Sequence, residues 1–531
     1  MLDNYFKKNK LGPYLKNFYF LTSLSFILIY VFKSLFFNMW DINYLYITAL
    51  KSNIQTIYSD FSFQHGPYLN FFFEFLTLIK SDPYIILYVL GIFQSLCIGY
   101  LAYLFACEIT ESKYVRKISF LITVFFVNSG YNFFYWDLYS FLLSSIGFYL
   151  VVVKKKNILG VFLLSFVFFC KQSFGVTSFL ILTFFSLANF LYFKKKEYLL
   201  NIALFFIFSL FFVLVIYFFS DLNKFYNENV LMIFKYSSLR EKDIFSYLFN
   251  IFTLLPDIHS INDLKHNLSL AGALFYMIFK LPLFLICVLL LFLIKDFYKN
   301  YYQLILLLIF ISILTTPLLG RGYWSTLYFI PAINILFFNY LCENKKIFSI
   351  SVIQNKDNLI LSYVFLIFLF LIANNIKDLN LSDQIDKQKI KSNKNFLLNL
   401  DQRNNFPISD RSDIIDMSKF VYDKKINSIY LLDEDSAIIL VINSIPSLNN
   451  DIVGKNIIKD PFFSWDMEFP IKGVKYKDRF LKDFKIKNSK YVLYHNNNFQ
   501  KNSIFFSKNF LINYDIFYSN SNFTLLKRKD D

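Results

Sequence analysis

Long apolar runs separated by short cationic clusters set the pattern of this chain. A membrane-crossing helix needs ~20 mostly apolar residues, and fewer where its ends snorkel or the bilayer thins. By that measure eleven spans are predicted, over residues 17–37, 84–107, 118–134, 138–153, 158–171, 174–193, 198–219, 281–294, 303–319, 324–341 and 359–375. The first follows Lys7, Lys8, Lys10 and Lys16 without a small-residue cleavage site after it. It reads as a retained span rather than a signal peptide.

The pattern changes after residue 375. Residues 376–400 are polar and rich in Lys, Asp and Asn, and short β-type runs follow at Ser428–Leu432, Ala437–Ile442, Tyr491–Tyr494 and Phe523–Lys527. Their spacing predicts a small soluble α/β domain over 376–531. The fold class expected is therefore a polytopic α-helical membrane protein, residues 1–375, with a C-terminal α/β domain. No internal repeat is visible, which weighs against a transporter built from duplicated halves.

Composition agrees: 56% of the 531 residues are hydrophobic and only 17% charged, well outside the range of soluble globular chains. The net charge of +16 invites a nucleic-acid partner, but the cations cluster between apolar runs instead of forming a phosphate-tracking stripe. Cys97, Cys107, Cys170, Cys287 and Cys342 lie in or beside apolar runs, with neither disulfide nor zinc spacing. Orientation follows the Lys/Arg bias. With the N-terminus cytoplasmic, the cytoplasmic segments carry 18 cations, including Lys113/Arg116/Lys117, Lys154–Lys156 and Lys194–Lys196. The opposite short loops carry four: Lys51, Lys80, Lys171 and Arg321. Eleven spans then place the C-terminal domain outside the membrane.

Against this apolar background each ionisable residue near a span demands a reason. The first outer loop (38–83) contains Asp41, Tyr44, Tyr58, Asp60, Gln64 and His65-Gly66-Pro67; the second is short and ends Trp136-Asp137-Leu138-Tyr139. Lys171-Gln172 interrupts an apolar stretch, and Arg321 lies in Gly320-Arg321-Gly322. Each has a plain structural alternative. Asp41 and Asp137 fit helix N-caps, His65 a turn, Lys171 a snorkelling helix end and Arg321 an interfacial anchor. Their common predicted side favours chemistry: a carboxylate can take a proton from a hydroxyl while Arg and Lys hold a departing phosphate.

The series Asp41, Tyr44, Ala49, Tyr58-x-Asp60 and Gln64-His65-Gly66-Pro67 resembles the first outer loop of GT-C-fold membrane glycosyltransferases, which include protein O-mannosyltransferases and the lipid A aminoarabinose transferase. Trp136-Asp137-x-Tyr139, Lys171-Gln172 and Gly320-Arg321 followed by Pro331 are similar to further motifs of that superfamily. Where bacterial members often carry His-Tyr after the Gly-Arg, this chain reads Trp324-Ser325-Thr326-Leu327-Tyr328. The resemblance covers roughly residues 17–375. It implies a polyprenyl-phosphate sugar as donor, a lipid, glycan or protein hydroxyl as acceptor, and inversion at the anomeric carbon. It implies Asp41 as catalytic base and Asp137 as second site carboxylate, with Arg321 and Lys171 on the donor phosphate. Tyr44, Tyr58, Asp60, Gln64, His65 and Gln172 would shape the pocket and acceptor side. No cofactor is required by this reading; a divalent metal, if one is used, would sit on Asp41 and Asp137. The expected location is the outer face of a bacterial inner (cytoplasmic) membrane. Two other functions share these features: a polysaccharide polymerase or ligase using lipid-linked sugars, and a non-enzymatic lipid flippase or transporter.

Overall fold

The computed structural model describes residues 66–77, 83–130, 136–231, 299–313, 329–343, 408–426, 490–496 and 513–529, with isolated positions between 278 and 288, 360 and 369, and 429 and 461. It is mostly helical, with a small C-terminal sheet. The helices are α1 (Pro67–Thr77), α2 (Pro83–Ile109), α3 (Lys113–Gly130), α4 (Trp136–Phe148, running on as a π-turn over Tyr149–Val153), α5 (Asn157–Cys170), α6 (Gln172–Phe193), α7 (Glu197–Phe219) and α8 (Leu222–Phe225). Later in the chain come α9 (Asn300–Ile313), α10 (Ile330–Glu343) and α11 (Ile408–Asp423).

Among the described residues, three helices are long and apolar enough to cross a membrane: Val89–Ile109 within α2, Gln172–Phe193 and Glu197–Phe219. Shorter apolar helices, among them Asp137–Val153 and Asn157–Cys170, lie with them. Predicted and observed boundaries agree within about two residues for α2 and for α4 to α7. Helix α3 begins at Lys113, five residues before the expected start at 118. Lysine and arginine are good helix formers, so the first turn extends past the apolar run into the cationic cluster. The predicted span at 17–37 lies outside the described residues.

The helices pack α2 on α3, α4 on α5, and α5 on both α6 and α7, while α10 closes against α3. Buried polar side chains link them. Ser144 and Ser178 hydroxyls meet at 2.6 Å between α4 and α6. Gln303 Nε2 donates to Asn189 Oδ1 at 3.0 Å between α9 and α6. Asn339 Nδ2 donates to Thr110 Oγ1 at 2.9 Å. In hydrocarbon such bonds satisfy groups that water cannot reach, which helps fix helix register.

The two ends of this bundle differ in chemistry. Lys154 lies 4.0 Å from Glu108 and Arg116 Nε donates to the Thr110 carbonyl at 2.7 Å. At the other end of α4, about 25 Å away at 1.5 Å per residue, lies Asp137. Three lysines that follow helices adopt left-handed backbone, Lys155 (φ 55°), Lys194 (φ 57°) and Lys425 (φ 49°).

The C-terminal sheet has strand order β2-β1-β3-β5-β4, comprising β1 (Tyr430–Leu431), β2 (Asp460–Pro461), β3 (Tyr491–His495), β4 (Tyr514–Ser519) and β5 (Phe523–Arg528). β1 runs parallel to β2 and β3, while β3–β5 and β5–β4 are antiparallel. Helix α11 packs on β4 and β5, and Asn520 Nδ2 donates to the Asp413 carbonyl at 2.7 Å. The sheet corrects one expectation. Ile439, inside the predicted strand 437–442, is helical, and its N–H bonds the Ser436 carbonyl at 3.2 Å. An apolar run of six cannot be assigned to strand or helix by periodicity alone.

Candidate functional site

Two of the predicted site residues meet directly. Lys171 Nζ stands 2.6 Å from Asp137 Oδ1, with the carboxylate fully buried and the lysine side chain 12% exposed. The contact is a short ion pair, and Asp137 Oδ2 accepts no hydrogen bond among the described residues. This geometry answers two of the structural alternatives. Asp137 lies in the first turn of α4, which starts at Trp136, and neither carboxylate oxygen accepts a backbone N–H; it is not acting as an N-cap. Lys171 does not snorkel to water but turns inward onto a buried acid.

Local structure explains how the pair forms. Lys171 has extended backbone (φ −149°, ψ 113°) between α5 and α6. That one residue breaks an otherwise continuous apolar helix. The chain reverses sharply there because Gly175 allows α6 to touch α5: a Cβ on Gly175 would lie 2.2 Å from Phe168 Cα. Gln172, the first residue of α6, is buried at the same corner.

The segment that opens α1 returns to this corner. Gly66 N–H donates to the Cys170 carbonyl at 3.1 Å, one residue from Lys171. A Cβ on Gly66 would fall 1.8 Å from the Phe169 carbonyl oxygen, so no other residue fits without moving backbone. Pro67 then opens α1, a position where its missing N–H costs nothing. Tyr68 lays its ring against Phe166 and Phe212 at 5.2 and 5.6 Å. Its hydroxyl is buried and takes no hydrogen bond among the described residues. Phe72 stacks on Tyr139 at 5.6 Å, joining α1 to the first turns of α4. In the sequence Gly66 stands out only within the Gln64–Pro67 motif, with no role of its own, and Tyr68 is not among the expected site residues. The Gly-Pro pair before an aromatic helix was the available signal.

Three segments far apart in sequence, at 66–72, 137–139 and 170–172, thus converge at one end of the helical bundle. Asp41, Tyr44, Tyr58, Asp60, Gln64, His65 and Arg321 lie outside the described residues. Among the described residues no cluster of three or more His, Cys, Asp or Glu could hold a metal ion.

Chemically, the corner holds a buried acid half-used by its cation and an aromatic wall. The neutralised pair costs far less to bury than either charge alone, and removing one partner strands the other at about 3–5 kcal/mol. No known family matches the chain, and comparison with curated proteins gives no match.

Proposed function

We propose that this chain is an integral-membrane glycosyltransferase that moves a sugar from a polyprenyl-phosphate donor to a hydroxyl acceptor. The observation that carries the reading is the buried Asp137–Lys171 pair at one end of an apolar helical bundle, with the first loop joined to it through Gly66 and Cys170. A structural ion pair that stabilises little by itself is poorly explained by packing, whereas intramembrane ionisable residues commonly mark functional sites.

Depth supports the same reading. Helix α5 has 14 residues and rises about 21 Å, against ~30 Å of hydrocarbon. With its Lys154–Lys156 end at one interface, its Cys170 end stops about 9 Å short of the other. The pair then lies where the phosphate of a lipid carrier can reach while the prenyl chain stays in the bilayer. The face proposed for this chemistry is extracytoplasmic, from the lysine bias of the opposite end.

In the proposed reaction Asp41 accepts the proton of the acceptor hydroxyl. That oxygen bonds to the anomeric carbon from the side opposite the carrier, the bond from carbon to phosphate oxygen breaks, and polyprenyl phosphate leaves with the electron pair. Lys171 and Arg321 stabilise the departing charge, and Asp137 orients the acceptor side and keeps Lys171 placed. Asp60, His65, Tyr44, Tyr58, Gln64 and Gln172 shape the pocket.

Reconstituted protein supplied with radiolabelled polyprenyl-phosphate sugar tests the proposal. Covalent transfer supports it, and transbilayer movement of the lipid without transfer overturns it in favour of a flippase. Positioned proton transfer contributes ~10²–10⁴-fold, so Asp41→Asn is expected to lose nearly all turnover. More than about a tenth of turnover remaining in that variant rules out Asp41 as the base.

A further inference from the structure

A groove remote from the Asp137–Lys171 corner remains unexplained by the proposed reaction. It opens between α2 and α3, encloses about 470 Å³ and is lined by Tyr100, Tyr103, Lys117, Phe120 and Leu121. The Tyr100 and Tyr103 rings stack with centroids 6.1 Å apart and planes 13° from parallel, making one flat wall. On α2 the wall continues through Leu96 and Phe93, which follow the same helical face at three- to four-residue spacing. Phe93, Leu96 and Tyr100 are 63%, 41% and 55% exposed, on one of the helices able to cross a membrane, so this face is turned to lipid.

Charge lies at one end of this stripe only. Lys117 lines the groove, and Lys113 precedes it by one turn of α3. Arg116, between them, is turned onto backbone: its Nε and one terminal nitrogen donate to the carbonyls of Thr110 and Cys107 at 2.7 and 3.4 Å. Glu108 faces Lys154 at 4.0 Å. Neither Lys113 nor Lys117 has an ion-pair partner among the described residues. From Tyr103 to Phe93 is ten residues, about 15 Å of helix, half the ~30 Å hydrocarbon thickness.

A cation at one end of an apolar, aromatic channel one leaflet deep fits an anionic lipid. We propose that the α2–α3 groove binds an anionic glycerophospholipid, its phosphate headgroup on Lys113 and Lys117 and one acyl chain along Tyr103, Tyr100, Leu96 and Phe93. Basic pockets between membrane helices select anionic headgroups, and the aromatic wall holds the chain. The proposal is independent of the glycosyltransferase reading and requires only that α2 and α3 lie in a bilayer.

Native mass spectrometry of the full-length protein, released from nanodiscs of mixed phosphatidylglycerol and phosphatidylcholine, tests headgroup choice. Wild type is expected to retain phosphatidylglycerol preferentially. Each of Lys113→Gln and Lys117→Gln should lower the preference about fivefold, the worth of one lysine near a charged surface. A double variant with the wild-type lipid ratio overturns the proposal. A second measurement needs no variant: phosphatidylglycerol carrying a diazirine on its acyl chain is photolysed in nanodiscs and its crosslinks mapped. Crosslinks concentrated at Phe93–Tyr103 are expected; equal labelling of the exposed Phe206, Leu210 and Phe211 face of α7 overturns it.

Discussion

The N–H of Gly66 and the carbonyl of Cys170 share a hydrogen bond of 3.1 Å across 104 residues of sequence. Through it the end of the first loop is tied to the residue beside Lys171. Gly66→Ala is expected to disrupt that tie, because the new methyl meets a carbonyl oxygen and not a side chain that can turn away. Overpacking of this kind costs about 1–3 kcal/mol, read as a lower melting temperature in detergent. Gly99→Ala is the comparison: its Cβ meets Val124 Cγ2 first, a side chain with other rotamers, so the loss should be smaller.

Asp137 and a bound phosphate would compete for one lysine. Asp137→Asn removes the negative charge that competes for Lys171. Polyprenyl phosphate binding is therefore expected to tighten by about tenfold, equivalent to ~1.4 kcal/mol, even as transfer falls. Lys171→Met should weaken the same binding. Titration of both variants with the lipid phosphate, monitored by intrinsic Trp fluorescence, separates this competition from a purely structural pair, for which both substitutions would weaken binding alike.

Lys155, Lys194 and Lys425 carry left-handed backbone that glycine adopts freely, at a strain of roughly 1–2 kcal/mol each. The opposing gain is a cation beside helix carbonyls, about 0.3–1 kcal/mol, and for Lys155 and Lys194 a contribution to orientation. Lys194→Gly is thus expected to raise the melting temperature slightly. Combined with neutralisation of Lys195 and Lys196, it should weaken topological bias, measured by reporter fusions at that loop.

In the C-terminal sheet, burial raises the phenol of Tyr494 above its ordinary range, partly offset by its hydrogen bond to Thr524. Burial does the same to Tyr518, helped by Asp416 and Asp413. A raised phenol stabilises the fold fully below the unfolded value near ~10. It loses that contribution as pH climbs toward the folded value. Protease resistance of the 408–529 segment in the full chain should fall above about pH 10, and Tyr494→Phe should reduce the pH dependence of that fall.

What could be read from the sequence was set by the strength of each physical signal. Helices α2 and α4 to α7 were legible because hydrocarbon permits few alternatives to a long apolar helix. Strands β3 and β5 were legible because their Val, Leu and Phe positions form consecutive runs buried on both faces of the sheet. β4 was missed: Tyr514–Ser519 is an edge strand with Asp515, Ile516 and Phe517 largely exposed, so its pattern carries no buried run. Asp137 and Lys171 stood out singly as charges in apolar surroundings. Their partnership did not, since nothing in a linear spacing of 34 residues reveals that Gly175 folds α6 back onto α5.

The brevity of α5 makes the protein a ruler for its solvent. A helix of 14 residues can meet both surfaces only where the lipid layer is pinched, so the chain must dimple the bilayer or admit water to the Asp137 corner. Acyl chains two or four carbons longer would deepen that dimple and stretch the path from headgroup plane to Lys171. Turnover in vesicles of graded chain length should therefore peak at short chains and decline steadily beyond them.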